Sequence, residues 1–191
     1  MPTLLHSPPV KIYTRRGDDG STGLFHGGRV AKDESGPEAY GTVDEAGAAL
    51  GVARALATGT MHDAILSVQR DLFVVGAELA TTPDRRGMLE AGSSLVTGEM
   101  VFRLEAAIDA IEAERGMPTE FIVPGGNPLA AAIDVARTVT RRAERRAVTH
   151  VRLSGITDSF VVPYLNRLAD YLYMLARSAE ATWVPSRPEE G

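Results

Sequence analysis

The sequence predicts an all-α protein, a five-helix antiparallel bundle with an irregular N-terminal segment. Five stretches of about 20 residues carry apolar side chains at helical spacing, and Gly- or Pro-containing connections separate them. Alternating strand patterns are almost absent. The 191 residues fit one domain, with an irregular segment over 1–36, a bundle over 37–182 and a tail over 183–191.

The composition excludes several classes of function. Apolar residues make up 44% and charged residues 24% of the chain, and the formal net charge of −5 disfavours nucleic-acid binding. The absence of cysteine excludes disulfides, thiolate metal sites and cysteine nucleophiles, and it fits a reducing cytoplasm. No apolar run is long enough to cross a membrane, and residues 1–9 carry no targeting signal. We therefore expect a cytoplasmic protein that binds neither nucleic acid nor membranes.

The first two helices follow the irregular segment. Pro37, in a first helical turn, opens a helix that runs to about Ala57. Thr60 and Asp63 resemble a capping box for a second helix, which ends at about Ala80. The residues expected to face inward on these helices are Val43, Ala46, Leu50, Ala53, Ile65, Val68, Leu72, Val75 and Leu79.

A loop over 81–96, rich in Pro, Gly and charge, is expected to be the most mobile part of the ordered chain. Thr97 then caps a third helix, which ends at about Arg115. The connector over 116–126 carries an apolar run before two glycines. The inward residues of the third helix are Met100, Leu104, Ala107, Ile108 and Ile111.

The fourth helix begins with Asn127 as N-cap and Pro128 at the first helical position, and it runs to about His150. Its apolar face is expected to hold Ala132, Val135, Val139 and Ala143. The last helix starts between 158 and 163 and ends at about Thr182, before a frayed tail. Its inward residues are Leu165, Leu168, Leu172 and Leu175.

Five arginines and one glutamate lie close together on the fourth helix, the most informative stretch of the chain. They are Arg137, Arg141, Arg142, Glu144, Arg145 and Arg146. Helical spacing places Arg137, Arg141 and Glu144 on one face, opposite an apolar face. Fixed guanidinium groups on one side of a helix suit a multiply charged anion such as a phosphate. A solvated face with i, i+4 ion pairs gives the same pattern, so both interpretations stay open at this point.

A second unusual segment, from Lys11 to Gly23, is punctuated by glycine and carries hydroxyls and backbone N–H groups that can face an anion. It is not a Walker A loop, because no Gly-Lys-Ser/Thr follows at the right spacing. Asp18 and Asp19 would repel a phosphate unless Mg²⁺ lies between them or they turn away to order the loop. Lys32 either joins this cradle or is solvated. The alternative for the whole segment is a surface turn.

Two other helices carry polar candidates. Asp44 and Glu45 lie among small residues on the first helix, and a carboxylate there needs a cationic partner such as Arg137 if it is buried. Asn166 is disfavoured in a helix interior, so we expect it to form a hydrogen bond. Asp170 and Arg177 are expected near the same face of the last helix, opposite the leucines.

Five motifs, taken in order, resemble the PduO-type ATP:cob(I)alamin adenosyltransferases, or corrinoid adenosyltransferases. They are Tyr13-Thr14-Arg15-x-Gly17-Asp18-x-Gly20-x-Thr22, Ala39-Tyr40-Gly41-x-Val43-Asp44-Glu45, Phe121-Ile122-x-Pro124-Gly125-Gly126, Arg137-x-x-x-Arg141-Arg142-Ala143-Glu144-Arg145 and Asn166-Arg167-Leu168-x-Asp170. The set spans residues 11–177 and is specific as a set, although each motif alone is weak.

The resemblance implies a homotrimer of five-helix bundles with active sites between neighbouring subunits. It implies transfer of the 5′-deoxyadenosyl group of ATP to the cobalt of reduced cobalamin, cob(I)alamin, with release of triphosphate. Mg²⁺ would enter with the ATP phosphates, and no protein ligand is assigned to it. A cobalamin reductase and an adenosylcobalamin-dependent mutase are the partners that the resemblance implies.

The resemblance also assigns residues to roles. The ATP-binding residues are Thr14, Arg15, Arg16, Gly17, Thr22, Gly23 and Lys32 from the N-terminal segment, and Arg141, Arg142, Glu144, Arg145 and Asn166 from the helices. Arg141, Glu144 and Phe121 are the expected catalytic residues. Phe121 is also expected to cover the lower face of the corrinoid, where it excludes the nitrogen ligand and water. Asp44 and Arg137 are expected to form a salt bridge between subunits.

Three positions depart from the family pattern, which commonly has arginine near Gly36, asparagine at Gly47 and serine at Ala169. Gly36 and Gly47 each remove a polar contact near the corrinoid or the subunit boundary. Two other functions stay open at this point. One is a non-catalytic module that holds adenosylcobalamin for delivery to a mutase, and the other is a helical scaffold or ATP-binding regulator. The presence of both halves of the ATP site favours catalysis.

Overall fold

Five helices form the molecule in a computed structural model, which describes residues 12–187. The helices are α1 (Ser35–Leu56), α2 (Gly59–Leu79), α3 (Gly98–Arg115), α4 (Pro128–Ser154) and α5 (Val161–Ser178). A two-stranded antiparallel sheet of β1 (Ser21–Gly23) and β2 (Arg29–Ala31) precedes them, and a 3-10 helix (Pro83–Met88) follows α2. The predicted helical-bundle fold is confirmed. The predictions for residues 1–11 and 188–191 lie outside the described residues.

The core of the bundle is formed by the apolar helix faces that the spacing of the sequence predicts. α1 packs between α4 and α2, and α5 packs against α4 and α3. All the predicted inward residues of α1, α2 and α5 are buried, with exposures of 4% or less. Burial of one leucine or isoleucine side chain stabilises a fold by about 1.5–3 kcal/mol, so this face holds the bundle together. On α3 only Met100 and Leu104 are buried, and the other predicted residues lie at the edge of the core.

Alanines line the contact between α1 and α4. Ala46 and Ala53 on α1 and Ala143 and Ala147 on α4 have no exposed surface. Side chains this small let two helix backbones approach closely along their length. The predicted apolar face of α4 is wrong at Val135, which is 58% exposed, because the buried face is centred on Ala136, Thr140, Ala143 and Ala147.

Two of the three predicted helix caps are confirmed. The Asn127 side chain accepts a hydrogen bond from Ala130 N at 2.9 Å, and the Thr97 hydroxyl accepts one from Met100 N at 3.3 Å. The capping box at Thr60 is wrong. α2 begins at Gly59 after Thr58, and no side chain caps it.

The loop over 81–96 is anchored through a buried carboxylate. Glu78, which is 1% exposed, accepts hydrogen bonds from Arg86 at 3.0 Å, Val96 N at 2.7 Å and Ser159 at 2.6 Å. Arg85 donates to the backbone oxygen of His26 and so joins this loop to the N-terminal sheet. Hydrogen bonds of this kind to a buried charge fix a loop in place, so the loop differs from the mobile one that its composition suggests.

The chain after α5 also differs from the prediction. α5 ends at Ser178, and the following residues fold back along the connector before α4 instead of fraying. Ile122 and Pro185 form an antiparallel bridge, flanked by hydrogen bonds from Val123 N to Val184 O at 2.9 Å and from Ser186 N to Phe121 O at 2.7 Å. No helix within residues 12–187 is long and apolar enough to span a membrane.

Candidate functional site

The glycine-rich N-terminal segment forms a closed loop around Lys32. The ammonium group of Lys32 donates to Gly17 O at 2.7 Å, and its backbone N–H donates to Gly20 O at 2.9 Å. Asp19 accepts from Ser21 N at 2.9 Å and from the Ser21 hydroxyl at 2.7 Å. These bonds to Ser21, with Arg29 nearby, lower the pKa of Asp19. Asp19 thus orders the loop from within, which was one of the two interpretations open for it.

The loop displays cations and hydroxyls to solvent. Thr14, Arg15 and Arg16 are exposed, and neither arginine has an ion-pair partner among residues 12–187. Arg15 has a φ of +60°, an uncommon backbone conformation for a residue other than glycine. Its guanidinium group lies 5.9 Å from the centre of the Tyr13 ring. Cations placed in this way are available to a bound anion.

A largely apolar cavity of about 720 Å³ opens beside this loop. The sheet contributes Thr22 and Gly23, and α1 contributes Asp44 and Gly47; the residues from α2 are Gln69, Leu72, Phe73, Gly76 and Ala77. Phe73 is 78% exposed at this surface, which is unusual for an aromatic side chain. The cavity therefore joins three residues that the sequence assigns to the ATP site or the subunit interface.

The helical half of the predicted site lies along α4 and α5. Asn166 donates to Glu144 at 3.0 Å and so joins the two helices, as its position in a helix predicted. Arg145 donates to Arg141 O at 3.0 Å. Arg142 is ion-paired with Glu45 of α1. Arg141 is exposed and has no ion-pair partner within the part of the chain that the structure describes.

One chain does not bring the two halves together. Within residues 12–187, no hydrogen bond or ion pair joins the N-terminal set, from Thr14 to Lys32, to Arg141, Arg142, Glu144, Arg145 or Asn166. None of these helical residues lines the 720 Å³ cavity that Thr22 and Gly23 line. The two sets of predicted ATP-binding residues therefore lie apart within one chain.

Arg137 and Asp44 do not pair within the chain. Arg137 is held by Asp134, three residues earlier on α4, at 2.9 Å. Its guanidinium carbon lies 6.0 Å from the centre of the Tyr173 ring. Asp44 is exposed at the rim of the cavity, and no ion pair involves it among the described residues. Their proposed salt bridge between subunits stays a prediction.

Phe121 is presented to solvent on a fixed backbone. Its side chain is 87% exposed, while its backbone oxygen accepts from Ser186 N. An exposed aromatic ring on a braced segment is suited to contact a large apolar partner. Sequence reasoning identified Phe121 but missed the brace, because hydrogen bonds between backbone atoms far apart in the chain leave no sequence pattern.

The three departures from the family pattern have structural counterparts. Gly36 is buried, and a Cβ atom there would lie 3.2 Å from the His150 ring. Burial lowers the pKa of His150. The Gln69 amide reaches across from α2 and donates to Gly47 O at 2.9 Å, and Ala169 is buried in α5. A larger residue at Gly36 would therefore require the His150 ring to move.

No group of three or more His, Asp or Glu side chains within residues 12–187 could hold a metal ion. Fold and site together define a helical-bundle protein with exposed arginines on its N-terminal loop and on α4, and with an exposed aromatic ring at Phe121. A sequence model of the family described as cobalamin adenosyltransferase matches residues 12–179. The chain belongs to the cobalamin adenosyltransferase family.

The relatives support this assignment over most of their length. The corrinoid adenosyltransferase of Bacillus subtilis is 40% identical over 177 residues, which cover 90% of this chain and 88% of the relative. That of Mycobacterium tuberculosis (strain H37Rv) is 42% identical and covers 92% of this chain and 94% of the relative. A variant PduO-type ATP:corrinoid adenosyltransferase from Lactobacillus reuteri, solved with cobalamin and ATP, superimposes with a TM-score of 0.84. It is 32% identical and covers 93% of this chain and 100% of its own.

Proposed function

We propose that this chain is an ATP:corrinoid adenosyltransferase, which moves the 5′-deoxyadenosyl group of ATP to the cobalt of cob(I)alamin. The products are adenosylcobalamin and triphosphate. The observation that carries the proposal is the pair of half-sites, exposed arginines on the N-terminal loop and on α4, together with the exposed Phe121. The named activities of the relatives, and the cobalamin and ATP bound in the Lactobacillus reuteri structure, support it.

The chemistry requires positioning rather than a side-chain nucleophile. Cobalt(I) of the substrate attacks C5′ of ATP, so a cobalt–carbon bond forms while the C5′–oxygen bond breaks. The electron pair of the broken bond leaves on the triphosphate, and the cobalt is formally oxidised to cobalt(III). The protein must align C5′ with the cobalt and stabilise the charge of the leaving group. Fixed arginines meet the second need, which suits a chain without cysteine.

In this proposal the two halves of the ATP site have separate tasks. The N-terminal loop wraps the triphosphate with its cations, hydroxyls and backbone N–H groups: Thr14, Arg15, Arg16, Gly17, Thr22, Gly23 and Lys32. Arg141, Arg142, Glu144, Arg145 and Asn166 complete the nucleotide site from the helices. The hydrogen bond between Asn166 and Glu144 supports this assignment, because it orients both side chains next to Arg141 on the same wall.

Mg²⁺ enters the proposed site as the ATP complex. The described residues offer no cluster of carboxylates for it, which leaves phosphate oxygens and water as its main ligands. Mg²⁺ prefers this arrangement, because it keeps several waters and binds substrate phosphates. Its charge would offset part of the negative charge of the leaving triphosphate.

Phe121 acts in the proposal on the corrinoid side. Reduction of cobalt(II) to cobalt(I) is easier when the lower nitrogen ligand is absent, and an apolar ring next to the metal excludes both that ligand and water. The exposure of Phe121 supports this role, since the ring packs against little of its own chain. Arg141 and Glu144 contact the nucleotide, so these three residues are the proposed catalytic set.

The proposed assembly is a homotrimer with active sites between subunits, in which Asp44 and Arg137 of neighbouring chains pair. The separation of the two half-sites within one chain supports it. We also infer a cytoplasmic location, a cobalamin reductase that supplies cobalt(I), and an adenosylcobalamin-dependent mutase that takes the product. The need of cobalt(I) for a reducing compartment supports the location.

An anaerobic assay tests the proposal. The protein is mixed with MgATP, cob(II)alamin and a strong reductant, and the absorbance change to adenosylcobalamin is followed. We expect repeated turnover and one triphosphate per adenosylcobalamin. Absence of turnover under these conditions would contradict the proposal. A single turnover with the product held tightly would favour a delivery module, and ATP hydrolysis without corrinoid would favour an ATP-binding regulator.

A further inference from the structure

Four charged side chains form a group beneath the segment that carries Phe121; three of them are buried and Arg137 is half-buried. Arg177 Nη2 lies 2.6 Å from Asp134 Oδ2, and Arg177 Nε lies 3.0 Å from Glu180 Oε2. Asp134 also accepts a hydrogen bond from Arg137 Nε at 2.9 Å. Two arginines balance two carboxylates, and we call these four residues the ion quartet. Arg177, Asp134 and Glu180 are each 4% exposed or less.

The three buried charges of the quartet depend on one another. A buried charge that loses its partner is strongly destabilising, so Asp134, Arg177 and Glu180 hold one another in place. Asp134 and Arg137 belong to α4, Arg177 to α5 and Glu180 to the turn after α5. The quartet therefore fixes the chain that leaves α5 onto α4.

Glu180 extends this fixation to the connector before α4. Its Oε1 accepts a hydrogen bond from Gly126 N at 3.0 Å. A Cβ atom at Gly126 would lie 2.7 Å from the same oxygen, so any larger residue there would displace the Glu180 side chain. The Asn127 amide adds a hydrogen bond to Ala179 O at 2.7 Å. The C-terminal end of the Phe121 segment is thus tied to the turn that carries Glu180.

The other end of the Phe121 segment is tied to the same stretch of chain. Trp183 Nε1 donates to Arg177 O at 3.1 Å, which turns the chain back toward the connector. Ser186 N then donates to Phe121 O at 2.7 Å. Both ends of residues 121–126 are therefore held by residues 177–186, and the ion quartet holds that stretch in turn.

We propose that Glu180 and Arg177 are positioning residues that set the place of the Phe121 ring at the corrinoid. The ring is 87% exposed and has little packing of its own, so its position follows from its backbone. Neither charged residue touches substrate, because both are buried. This inference rests on the proposed function, since it assumes that Phe121 meets the corrinoid.

The test compares Glu180→Ala, Glu180→Gln and a control, Tyr164→Phe. The control removes a buried hydrogen bond of 3.0 Å to Asp71, away from the Phe121 segment. Two readouts are used in the full-length protein. One is the emission of Trp183, the single tryptophan of the chain. The other is the kinetics with MgATP, started either from cob(II)alamin with reductant or from preformed cob(I)alamin.

For Glu180→Ala we expect a shift in Trp183 emission and a KM for ATP within about twofold of the unmodified protein. The rate from cob(II)alamin should fall about tenfold or more, because a small displacement of the ring admits a lower ligand. The rate from cob(I)alamin should fall about threefold or less. Glu180→Gln keeps an oxygen for Gly126 N, so it should recover part of the loss. Tyr164→Phe should change neither Trp183 emission nor the ratio of the two rates.

Equal losses from both cobalt states in the Glu180 variants would overturn the proposal, and so would unchanged kinetics. If Glu180→Ala does not fold, the same comparison is decided by Glu180→Gln. If the proposed function itself is wrong, the unmodified protein will form no adenosylcobalamin. This outcome is distinct from failure of the positioning role alone. In that case an unchanged Trp183 emission in both Glu180 variants would still overturn the positioning role, since the quartet would not hold the segment.

Discussion

Arg141 and Arg142 are adjacent in sequence but differ in what they contact. A helical residue advances about 100°, so the two side chains leave α4 in different directions. Arg142 meets Glu45 of α1, and Arg146, one turn later, meets Glu38 at 2.9 Å. Arg141 has no ion-pair partner among residues 12–187. The arginine cluster thus combines both interpretations. Arg142 and Arg146 belong to a solvated, ion-paired face, whereas Arg141 is a cation without an ion-pair partner among residues 12–187.

Replacement of Arg141 by alanine should damage the use of ATP. A phosphate loses a fixed guanidinium partner, and kcat/KM for ATP should fall about 10- to 100-fold, the range expected for loss of a hydrogen bond to a charged group. The matched control is Arg146→Ala, which removes an exposed pair with Glu38 and should change kcat/KM by about twofold or less. Steady-state kinetics in ATP measures both. A kcat/KM for ATP in Arg141→Ala close to that of the unmodified protein would mean that Arg141 does not contact the phosphate.

Replacement of Phe121 by alanine should slow the reaction of the corrinoid while it leaves the use of ATP nearly unchanged. The KM for ATP should stay within about twofold, whereas the rate from cob(II)alamin should fall about tenfold or more, because the lower ligand is no longer excluded. The exposed Phe102 provides the control, since Phe102→Ala removes a ring of the same kind from α3. An equal defect of Phe121→Ala from cob(I)alamin and cob(II)alamin would mean that the ring acts in another step.

At the scale of elements, the contact between the start of α1 and the end of α4 carries a pH-sensitive group. Ser35 on α1 and Ser154 on α4 lie 3.1 Å and 3.5 Å from His150 Nδ1, and Gly36 packs on the ring. Burial lowers the pKa of His150 in the folded protein below its usual value of about 6.5. As the pH falls, His150 therefore binds a proton at a higher pH in the unfolded chain than in the folded protein.

The free energy of unfolding should therefore fall as the pH is lowered from 7.5 to 5.5. The His150 contribution is fully present above a pH of about 6.5 and is lost as the pH falls through the lower pKa of the folded state. His150→Asn should flatten this dependence, and the surface variant His62→Asn should keep it. Urea unfolding at a series of pH values measures the slope. A slope that is the same in His150→Asn and the unmodified protein would contradict this assignment.

Elements with strong periodicity could be predicted from the sequence, and short ones could not. The leucines of α5 and the caps at Thr97 and Asn127 act locally, so their pattern indicates the helix directly. Strands of three residues, as in β1 and β2, are too short to show an alternation. The hydrogen bond between Ser186 and Phe121 could not be predicted either, because it joins backbone atoms and leaves no sequence pattern. The role of Glu180 could not be predicted, because its hydrogen bond to Gly126 joins residues far apart in the chain. Arg177, expected opposite the buried leucines, is itself buried because it pairs with Asp134.

At the scale of the whole molecule, the sequence motifs name candidate site residues but do not give their arrangement in space. The motifs identify Arg15, Arg141 and Asn166 as candidates, since their chemistry suits a phosphate. The motifs do not show that the two halves of the proposed ATP site lie apart in one chain, because that follows from how α1, α4 and the N-terminal loop pack. In the proposed homotrimer, the contact between subunits would therefore be part of the ATP site.

Asp44 tests the subunit contact, because it is exposed and no ion pair involves it within the described residues. Asp44→Ala should weaken the proposed trimer, with a dissociation constant raised about tenfold or more if a buried intersubunit ion pair is lost. The matched control is its neighbour, Glu45→Ala, which removes a pair with Arg142 inside one chain and should leave the trimer intact. Analytical ultracentrifugation measures both. A stable trimer in Asp44→Ala would exclude this residue from the interface energetics.

Mixing of two inactive variants tests the central claim, that each active site is shared between subunits. Arg15→Ala damages the N-terminal half and Arg141→Ala the helical half, so each protein alone should keep about a tenth of the activity or less. When the two are coexpressed at equal levels, random assembly should give about one quarter of the sites two intact halves. Adenosylcobalamin formation should then recover to about one quarter of the unmodified rate. A mixture no more active than its two components would show that each site lies within one chain.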